Sequence, residues 1–216
     1  PEGEPGGPDS EMFFDFDPKN EKKIHENSQF KSEACHPNCD CGRFIEIGNS
    51  VFIQYKKTGD KLVELAQKNV DFGGGLTRMA AATVDDNDIF NLDVFADAKN
   101  ILEHISSKNY NDSEENKFNF RIIFDHVHAA TFLIGDGVVP GNKDQMYFVR
   151  RLIRRAIVAG HKLNIHENFT KAIGETFINK YKEAEEYLGD NLSKNKEKIL
   201  EELDKEENKF RKTMNS

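Results

Sequence analysis

The sequence contains no tryptophan, only three cysteines and only six prolines among its 216 residues. Positive charge is also scarce, since 30 lysines and arginines face 38 aspartates and glutamates, for a net charge of −8. An acidic chain of this kind does not hold nucleic acid through bulk positive charge, so any RNA contact must be local. No apolar run approaches the roughly 20 residues that span a bilayer, which predicts a cytoplasmic protein with no membrane partner.

Core-forming residues are plentiful, because 17 phenylalanines are spread along the chain, and this argues against wholesale disorder. Strand-like patterns occupy Glu11–Asp17 and Arg43–Lys57. The Gly48-Asn49 pair inside the second run predicts a bulge or a break, and we expect two strand pieces on one sheet. A turn at KTGD and short connections predict an antiparallel sheet. From Asp85 onward the apolar residues recur at helical spacing.

These patterns predict an α+β fold, with a sheet domain over residues 1–84 and a mostly helical domain over residues 85–216. The polar run Ser106–Lys117 predicts a loop, and the next helix is expected from Arg121 to the Gly-Asp-Gly turn. A further helix is expected to stop at Gly160. The charged tail from Phe169 is expected to be almost entirely helical, with one narrow apolar stripe.

The stretch VDFGGGLTRMAA, residues 70–81, places Gly73, Gly74 and Gly75 between a short apolar run and a helix, with Arg78 three residues further on. It matches neither the Walker A loop nor the dinucleotide-binding fingerprint. Three glycines still allow a phosphate or a flat ring to lie against the main chain, and Arg78 offers a planar cation at a helix start. A plain strand-to-helix turn explains the stretch equally well.

Half of the chain's arginines fall within six positions of one predicted helix: Arg150, Arg151, Arg154 and Arg155. On a helix they stack in i, i+4 pairs, while the neighbouring aliphatic residues form the buried face. In an acidic protein this asymmetry favours contact with a phosphate backbone over a merely solvated face. The preceding loop, PGNKDQ, places Asn142 where it can reach a groove edge.

All three cysteines and one histidine lie in the segment CHPNCDC, residues 35–41: Cys35, His36, Cys39 and Cys41. These residue types can form a tetrahedral zinc set, but the C-x3-C-x-C spacing is not a standard zinc motif, and reduced thiols in a loop are the alternative. The two histidines of DHVH point to different sides of a helix, so a metal pair there is not expected. We therefore assign no metal ligand from the sequence and leave zinc open.

Five segments resemble, in order and spacing, the alanyl-tRNA synthetase family, from its catalytic core into its tRNA-recognition domain: GPDSEMFFDFD, CGRFIEIGNSVFIQY, VDFGGGLTRMAA, DHVHAATFLIGDGVVPGN and YFVRRLIRRA. The resemblance covers nearly the whole chain. It implies part of the antiparallel sheet of class II synthetases followed by helices. It also implies a ligase that condenses alanine with ATP, accompanied by Mg²⁺, and then transfers alanine to the 3′ end of its tRNA.

The resemblance implies roles for particular residues of the sheet. Arg78 would pack on the adenine and reach the γ-phosphate, and Gly73, Gly74 and Gly75 would floor that pocket. Asp71 would hold the alanine ammonium and Asn49 the other polar end of the amino acid, an anion for a cation and an amide for a carboxylate. Glu46 would face the ATP and its metal.

In the helical part, the resemblance places Asn142 where the family reads the G·U pair of the acceptor stem. It places the four clustered arginines on a phosphate-facing helix: Arg150, Arg151, Arg154 and Arg155. The implied partners are the acceptor stem of alanine tRNA, ATP, alanine and the missing remainder of the protein's own chain.

The sequence also departs from the family pattern. Thr77 replaces a glutamate that precedes the motif 3 arginine, so a salt bridge that orients Arg78 is expected to be missing. Motifs 1 and 2 and the C-terminal editing and oligomerising regions are absent, and a proline followed by a loop-like segment opens the chain. We therefore expect a fragment that does not form the adenylate alone. A non-catalytic RNA-binding paralogue and a zinc-stabilised binding module remain as alternatives.

Overall fold

The computed structural model describes residues 2–214, which form two compact units, one ending at Leu92 and the other beginning at Asp93. The first unit is built on a β-sheet and the second on helices. This arrangement confirms the predicted α+β fold. The helices of the described part of the chain lack the combination of length and apolar character that crossing a membrane requires.

The sheet of the first unit has four strands among the described residues: β1 (Pro5–Gly6), β2 (Asp9–Asp15), β3 (Phe44–Thr58) and β4 (Lys61–Gly74). Each of the others pairs antiparallel with β3, which is therefore central. Thr58 and Lys61 face each other across the β3–β4 hairpin, where Gly59 has a positive φ of 58°. The predicted antiparallel sheet and its hairpin turn are thus confirmed.

Of the two predictions for Gly48-Asn49, the break is wrong, because both residues lie inside one continuous strand, β3, and the bulge is confirmed next to Gly48. The irregularity is a bulge, since Met12 pairs with Gly48 whereas Phe13 pairs with Glu46. The extra residue is Ile47. A bulge adds a residue and twists the strand without ending its hydrogen-bonded ladder, so a sequence irregularity there did not interrupt the strand.

The strand β4 feeds directly into a short helix. Helix α1 (Leu76–Val84) begins after Gly75 and ends where Asp85 takes a left-handed conformation, with φ 55°. A 3-10 turn, Ile89–Asn91, follows, and the carboxylate of its N-cap residue Asp88 accepts a hydrogen bond from the backbone N–H of Phe90. The strand-to-helix transition at the three glycines therefore has the geometry that the sequence predicts.

The loop between β2 and β3 is long, and an ion pair closes its base. Arg43 donates from Nε and Nη2 to the two carboxylate oxygens of Asp15, both at 2.8 Å. These bonds hold the pKa of Asp15 below its usual value, against the opposing effect of burial. A bidentate arginine–carboxylate pair fixes orientation as well as distance, so it aligns the end of β2 with the start of β3.

The second unit begins with a 3-10 turn (Asp93–Phe95) and continues as α2 (Ala96–Ser106), α3 (Glu114–Gly135), α4 (Asp144–Lys162), α5 (Thr170–Lys182), α6 (Glu185–Leu188), α7 (Asn191–Lys194) and α8 (Lys196–Met214). Its core is formed by buried aliphatic residues of α3, α4, α5 and α8: Ala130, Ile134, Val149, Ile153, Ile157, Ile178, Ile199 and Leu203. The tail is largely helical, as expected, but Leu188 is exposed and does not continue an apolar stripe.

Two helix boundaries differ from the sequence prediction. Helix α3 begins at Glu114 rather than Arg121, because the Ser113 hydroxyl accepts a hydrogen bond from the Asn116 N–H and caps the helix. Helix α4 does not stop at Gly160 but continues to Lys162. The glycine serves packing instead, since a Cβ at position 160 would lie 2.4 Å from the ring of Phe169.

Candidate functional site

The register of the sheet brings three of the predicted residues onto one face. Asn49 of β3 lies directly opposite Gly73 of β4, and Val51 lies opposite Asp71 one row further along. Directly opposed residues of antiparallel strands project to the same face, as do residues two apart on one strand. Asn49, Gly73 and Asp71 therefore share a sheet face.

Carboxylates surround Asn49 on this face. Glu11 of β2 pairs with Asn49 from the other side, and Asp9 pairs with Val51. The Asn49 Nδ2 donates to Asp9 Oδ2 at 3.4 Å, whereas Asn49 Oδ1 is buried and accepts no hydrogen bond from any of residues 2–214. A buried acceptor without a donor is costly, so the Asn49 amide is a position where a polar ligand would be stabilised.

Glu46, which lies beside the bulge in β3, lines an open cleft. This cleft, of about 470 Å³, is lined by Glu11, Phe13, Phe44 and Glu46 and by the loop residues Pro37 to Asp40 and Gly42. Its lining is mainly polar and carries three carboxylates, those of Glu11, Asp40 and Glu46. Such a surface suits a cation or a metal-bound polar ligand.

Arg78 is held at the start of α1 by the strand beside it. Its Nη1 donates to the backbone carbonyl of Glu46 at 3.1 Å and lies 3.7 Å from the Glu46 carboxylate. Gly75 anchors the turn by donating its N–H to the Ile47 carbonyl, at 3.1 Å. A Cβ at position 75 would lie 3.1 Å from Arg78 Cδ, so the glycine makes room for the arginine stem.

The contacts of Arg78 show how it can be oriented although Thr77 replaces the glutamate of the family pattern. The sequence predicts that Arg78 lacks the glutamate that would orient it. In the structure Glu46 supplies both a carbonyl and a carboxylate to the Arg78 guanidinium. Arg78 is about half exposed, so its guanidinium remains accessible to a ligand while the strand limits its direction.

The four clustered arginines divide into two pairs. The side chains of Arg150 and Arg154 are 12% and 34% exposed, and both contact the buried carboxylate of Glu206 in α8. Arg154 donates from Nε to Glu206 Oε1 at 2.7 Å, whereas Arg150 Nε lies 3.2 Å away in the geometry of an ion pair. Arg151 and Arg155, one residue further along each turn, are exposed.

The predicted groove reader, Asn142, is tied to the same helix. It is exposed, and its Oδ1 accepts a hydrogen bond from Arg150 Nη1. The other polar atom of the Asn142 side-chain amide is the donor Nδ2. The structure therefore connects the loop before α4 to Glu206 through Arg150.

A groove runs past this helix within the second unit. It has a volume of about 410 Å³ and is lined by all four clustered arginines and by Lys162, together with the aromatic residues Phe118, Tyr147 and Phe210. The Arg154 guanidinium lies 5.0 Å from the centre of the Phe210 ring. Cations beside exposed aromatic rings are the combination that binds single-stranded or flexible nucleic acid.

The cysteine segment differs from the sequence prediction in one ligand. Cys35, Cys39 and Cys41 are unbridged, and their sulfur atoms cluster with the imidazole of His25 rather than with that of His36. His36 is exposed, and its Nδ1 accepts a hydrogen bond from the Asn38 N–H at 3.2 Å. The imidazole of His36 is thus directed back to its own loop.

Sequence reasoning missed His25, Glu206 and Glu207. His25 lies ten residues before the nearest cysteine, and no spacing rule connects it to that segment. Glu206 and Glu207 lie in a highly charged helix, where glutamates are normally solvated, yet both are buried. Only the weak apolar stripe of α8 indicated that part of this helix faces the core.

The chain combines three features: an antiparallel sheet, a glycine-rich strand-to-helix turn that is followed by an arginine, and a helical unit after it. These features are those of class II tRNA synthetases, the class implied by the five sequence segments. The sequence profile for "tRNA synthetases class II (A)" matches residues 1–216. The chain belongs to this family. The finding confirms the resemblance inferred from the five ordered segments.

Particular relatives share the sequence over most of this chain. An alanine–tRNA ligase of Mesoplasma florum is 37% identical over 222 residues, which cover 97% of the chain and 24% of that protein. Those of Borreliella burgdorferi and Mycoplasma capricolum subsp. capricolum are 36% and 34% identical, over 91% and 97% of the chain and 33% and 24% of each protein. The chain thus spans about a quarter to a third of the length of these curated relatives.

Proposed function

We propose that this chain is a section of an alanine–tRNA ligase, which activates alanine with ATP and transfers it to the 3′ end of its tRNA. One observation carries the proposal: the β3–β4 register sets Asn49 opposite Gly73, with Asp71 in the next row of the same face. The names of the relatives support the substrate. Because those relatives are three to four times longer, the activity belongs to the longer protein.

The amino-acid end of the proposed site rests on charge and hydrogen bonding. Asp71 is an exposed carboxylate that can pair with the ammonium of alanine, and such charge-assisted bonds are the strong ones. Asn49 offers an amide with a buried acceptor that no residue of the described chain satisfies. Alanine carries both a cation and an anion, so an acid and an amide on one sheet face suit it.

The nucleotide end rests on Arg78 and the three glycines. The guanidinium of Arg78 can lie on the adenine or reach a phosphate, because it is planar and half exposed. Gly73, Gly74 and Gly75 allow the nucleotide to approach the backbone, and the first N–H groups of α1 lie beside them. Glu46 has the oxygen chemistry that Mg²⁺ prefers, and a bound Mg²⁺ would neutralise phosphate charge.

The tRNA end rests on the α4 helix. Arg151 and Arg155 are exposed and are the arginines best placed to contact the phosphates of an acceptor stem, while Arg150 and Arg154 stabilise the helix through Glu206. Asn142 lies beside this helix and is proposed to read the G·U pair. Phosphate contacts position an RNA and base-edge contacts specify it. We also propose a cytoplasmic location, where such a ligase would meet its tRNA.

Alanine-dependent exchange of pyrophosphate into ATP by the longer protein tests the proposal. Asp71→Asn keeps the shape but removes the charge that holds the ammonium, so kcat/KM for alanine is expected to fall about 10- to 100-fold. Glu64→Gln removes an exposed carboxylate from the same strand, β4, and serves as the matched control with unchanged kinetics. The 216-residue chain alone is expected to show no exchange.

The same measurement separates the alternative, a non-catalytic RNA-binding paralogue, for which Thr77 is the motivating residue. Normal exchange by the unmodified longer protein would remove that alternative. Absence of exchange that is restored by Thr77→Glu would favour it. The contacts between Arg78 and Glu46 support the catalytic proposal, because they orient the arginine without a glutamate at position 77.

A further inference from the structure

Four side chains of the loop between β2 and β3 converge on one point. The ligand atoms of His25, Cys35, Cys39 and Cys41 all lie within 4.8 Å of one another. We call this group the Cys/His cluster. His25 and Cys39 are buried, and Cys39 Sγ lies 3.7 Å from His25 Nδ1. In a tetrahedral zinc site with bonds of about 2.3 Å to sulfur, neighbouring ligand atoms are about 3.6–3.8 Å apart.

The hydrogen bonds around the cluster have the pattern of a metal site. His25 Nε2 lies 3.1 Å from the Glu33 carbonyl oxygen. A carbonyl oxygen can only accept a hydrogen bond, so Nε2 must carry the proton. That bond leaves Nδ1 unprotonated and directed at the cysteines, the arrangement in which histidines bind metals.

The donor set selects the metal. Three soft sulfur ligands and one imidazole, with ligand atoms within 4.8 Å of one another, favour zinc over magnesium or calcium, which take oxygen ligands. A disulfide does not explain the cluster, because it would use two cysteines and leave the third and the directed imidazole unexplained. The same atoms explain why His25 and Cys39 are buried side by side in a loop, residues 18–42, that has no other buried residue.

We propose that one zinc ion is bound by the Cys/His cluster: His25, Cys35, Cys39 and Cys41. On binding, the three thiols release their protons to solvent, so the site carries a net charge of −1 with Zn²⁺ in place. All four ligands come from protein, and the site is therefore closed and structural rather than catalytic.

The position of the cluster gives this zinc a function in the fold. Residues 18–42 form no helix or strand. A loop of this length inside a compact unit requires interactions that fix its conformation. The Asp15–Arg43 pair closes its base, and the zinc would tie His25, in the first half of the loop, to the three cysteines near its end. Cys39 lines the same cleft as Glu11 and Glu46, so the metal would fix one wall of the candidate active site.

Metal analysis of the 216-residue chain, purified without chelator and dialysed against metal-free buffer, tests the proposal. We expect about one equivalent of zinc per chain, falling below about 0.1 equivalent in Cys39→Ser. His36→Ala is the matched control and keeps one equivalent, because His36 lies outside the cluster. Replacing zinc by Co²⁺ should give thiolate-to-metal charge-transfer bands and the strong visible bands of a tetrahedral centre.

A second variant distinguishes loss of a ligand from misfolding of the Cys39→Ser protein. His25→Cys supplies a fourth thiolate at the same place, so it should keep one equivalent of metal and shift the Co²⁺ spectrum. Less than about 0.1 equivalent of zinc in the unmodified chain after incubation with micromolar zinc would overturn the proposal. Loss of the metal in His36→Ala would overturn this ligand set. Neither readout depends on catalysis or on the proposed function.

Discussion

His128 is surrounded by aromatic rings in the second unit. It stacks on Tyr181, with ring centres 5.4 Å apart, and lies edge-on to Phe177 at 4.8 Å. Its Nε2 lies 2.9 Å from the Tyr181 hydroxyl oxygen. Burial lowers the pKa of His128 from 6.5 to about 4, and the carboxylate of Asp125 opposes this shift only in part. His128 is therefore neutral in the folded protein at neutral pH.

The unfolded state binds the His128 proton more tightly than the folded state, so the free energy of unfolding should fall as the pH drops from about 6.5 towards 4. The full loss attributable to this residue is about 3 kcal/mol. His128→Phe removes the proton but keeps an aromatic ring, and its unfolding free energy should decline less over the same range. Urea unfolding of both proteins at several pH values measures the difference. Parallel declines would contradict the assignment.

At the residue scale, the sequence indicates which strands carry the candidate residues, but it does not reveal their long-range contacts. The sequence pattern predicts strands that contain Asp71, Asn49 and Gly73. Because side chains alternate along a strand, the observed register brings these three residues to one face. The pairing of Arg150 and Arg154 with Glu206 was not predictable, because the partner lies more than 50 residues away on another helix. For the same reason His25 could not be connected to the cysteines.

At the scale of elements, helix α5 takes its N-terminal cap from another helix. Its N-cap residue, Phe169, has no side-chain acceptor. Instead the Glu207 carboxylate of α8 accepts hydrogen bonds from the backbone N–H groups of Phe169 and Thr170, at 3.1 and 2.8 Å, and from the Thr170 hydroxyl at 2.7 Å. Its other oxygen accepts two bonds from Arg211, at 2.9 and 2.8 Å.

Glu207→Gln should destabilise the second unit strongly. The amide can replace only part of this hydrogen bonding, and it leaves the Arg211 guanidinium beside a neutral group, at a cost of about 2–4 kcal/mol in the free energy of unfolding. Glu201→Gln, on an exposed position of the same helix, is the control and should change stability by less than about 0.5 kcal/mol. Equal effects of the two substitutions in urea unfolding would show that the cap contributes nothing.

Elements with local signals were predictable and those set by tertiary contacts were not. The Gly59 turn and the antiparallel β3–β4 pairing follow from the sequence. The start of α3 could have been found from Ser113, which precedes two glutamates in the manner of a helix N-cap. The continuation of α4 through Gly160 depends on the ring of Phe169 lying against it, which no local pattern reveals.

At the scale of the whole molecule, the order of five segments was sufficient to identify the family. Most of the loop that carries the Cys/His cluster lies outside these segments, and its C-x3-C-x-C spacing matches no standard zinc motif. The functional proposal also predicts that the chain recognises an acceptor stem through its helical unit. The loop before α4 should contact a base, and α4 itself should contact the phosphates.

Binding of the chain to an acceptor-stem minihelix, with and without its G·U pair, tests this prediction most directly. We expect tighter binding of the G·U form by about 5- to 100-fold, the range of one good base-edge contact. Asn142→Ala should abolish the preference while Asn100→Ala, on an exposed position of α2, retains it. Arg151→Gln and Arg155→Gln should weaken both RNAs equally and reduce the salt dependence. Equal affinity of the unmodified chain for the two minihelices would contradict recognition of alanine tRNA by this unit.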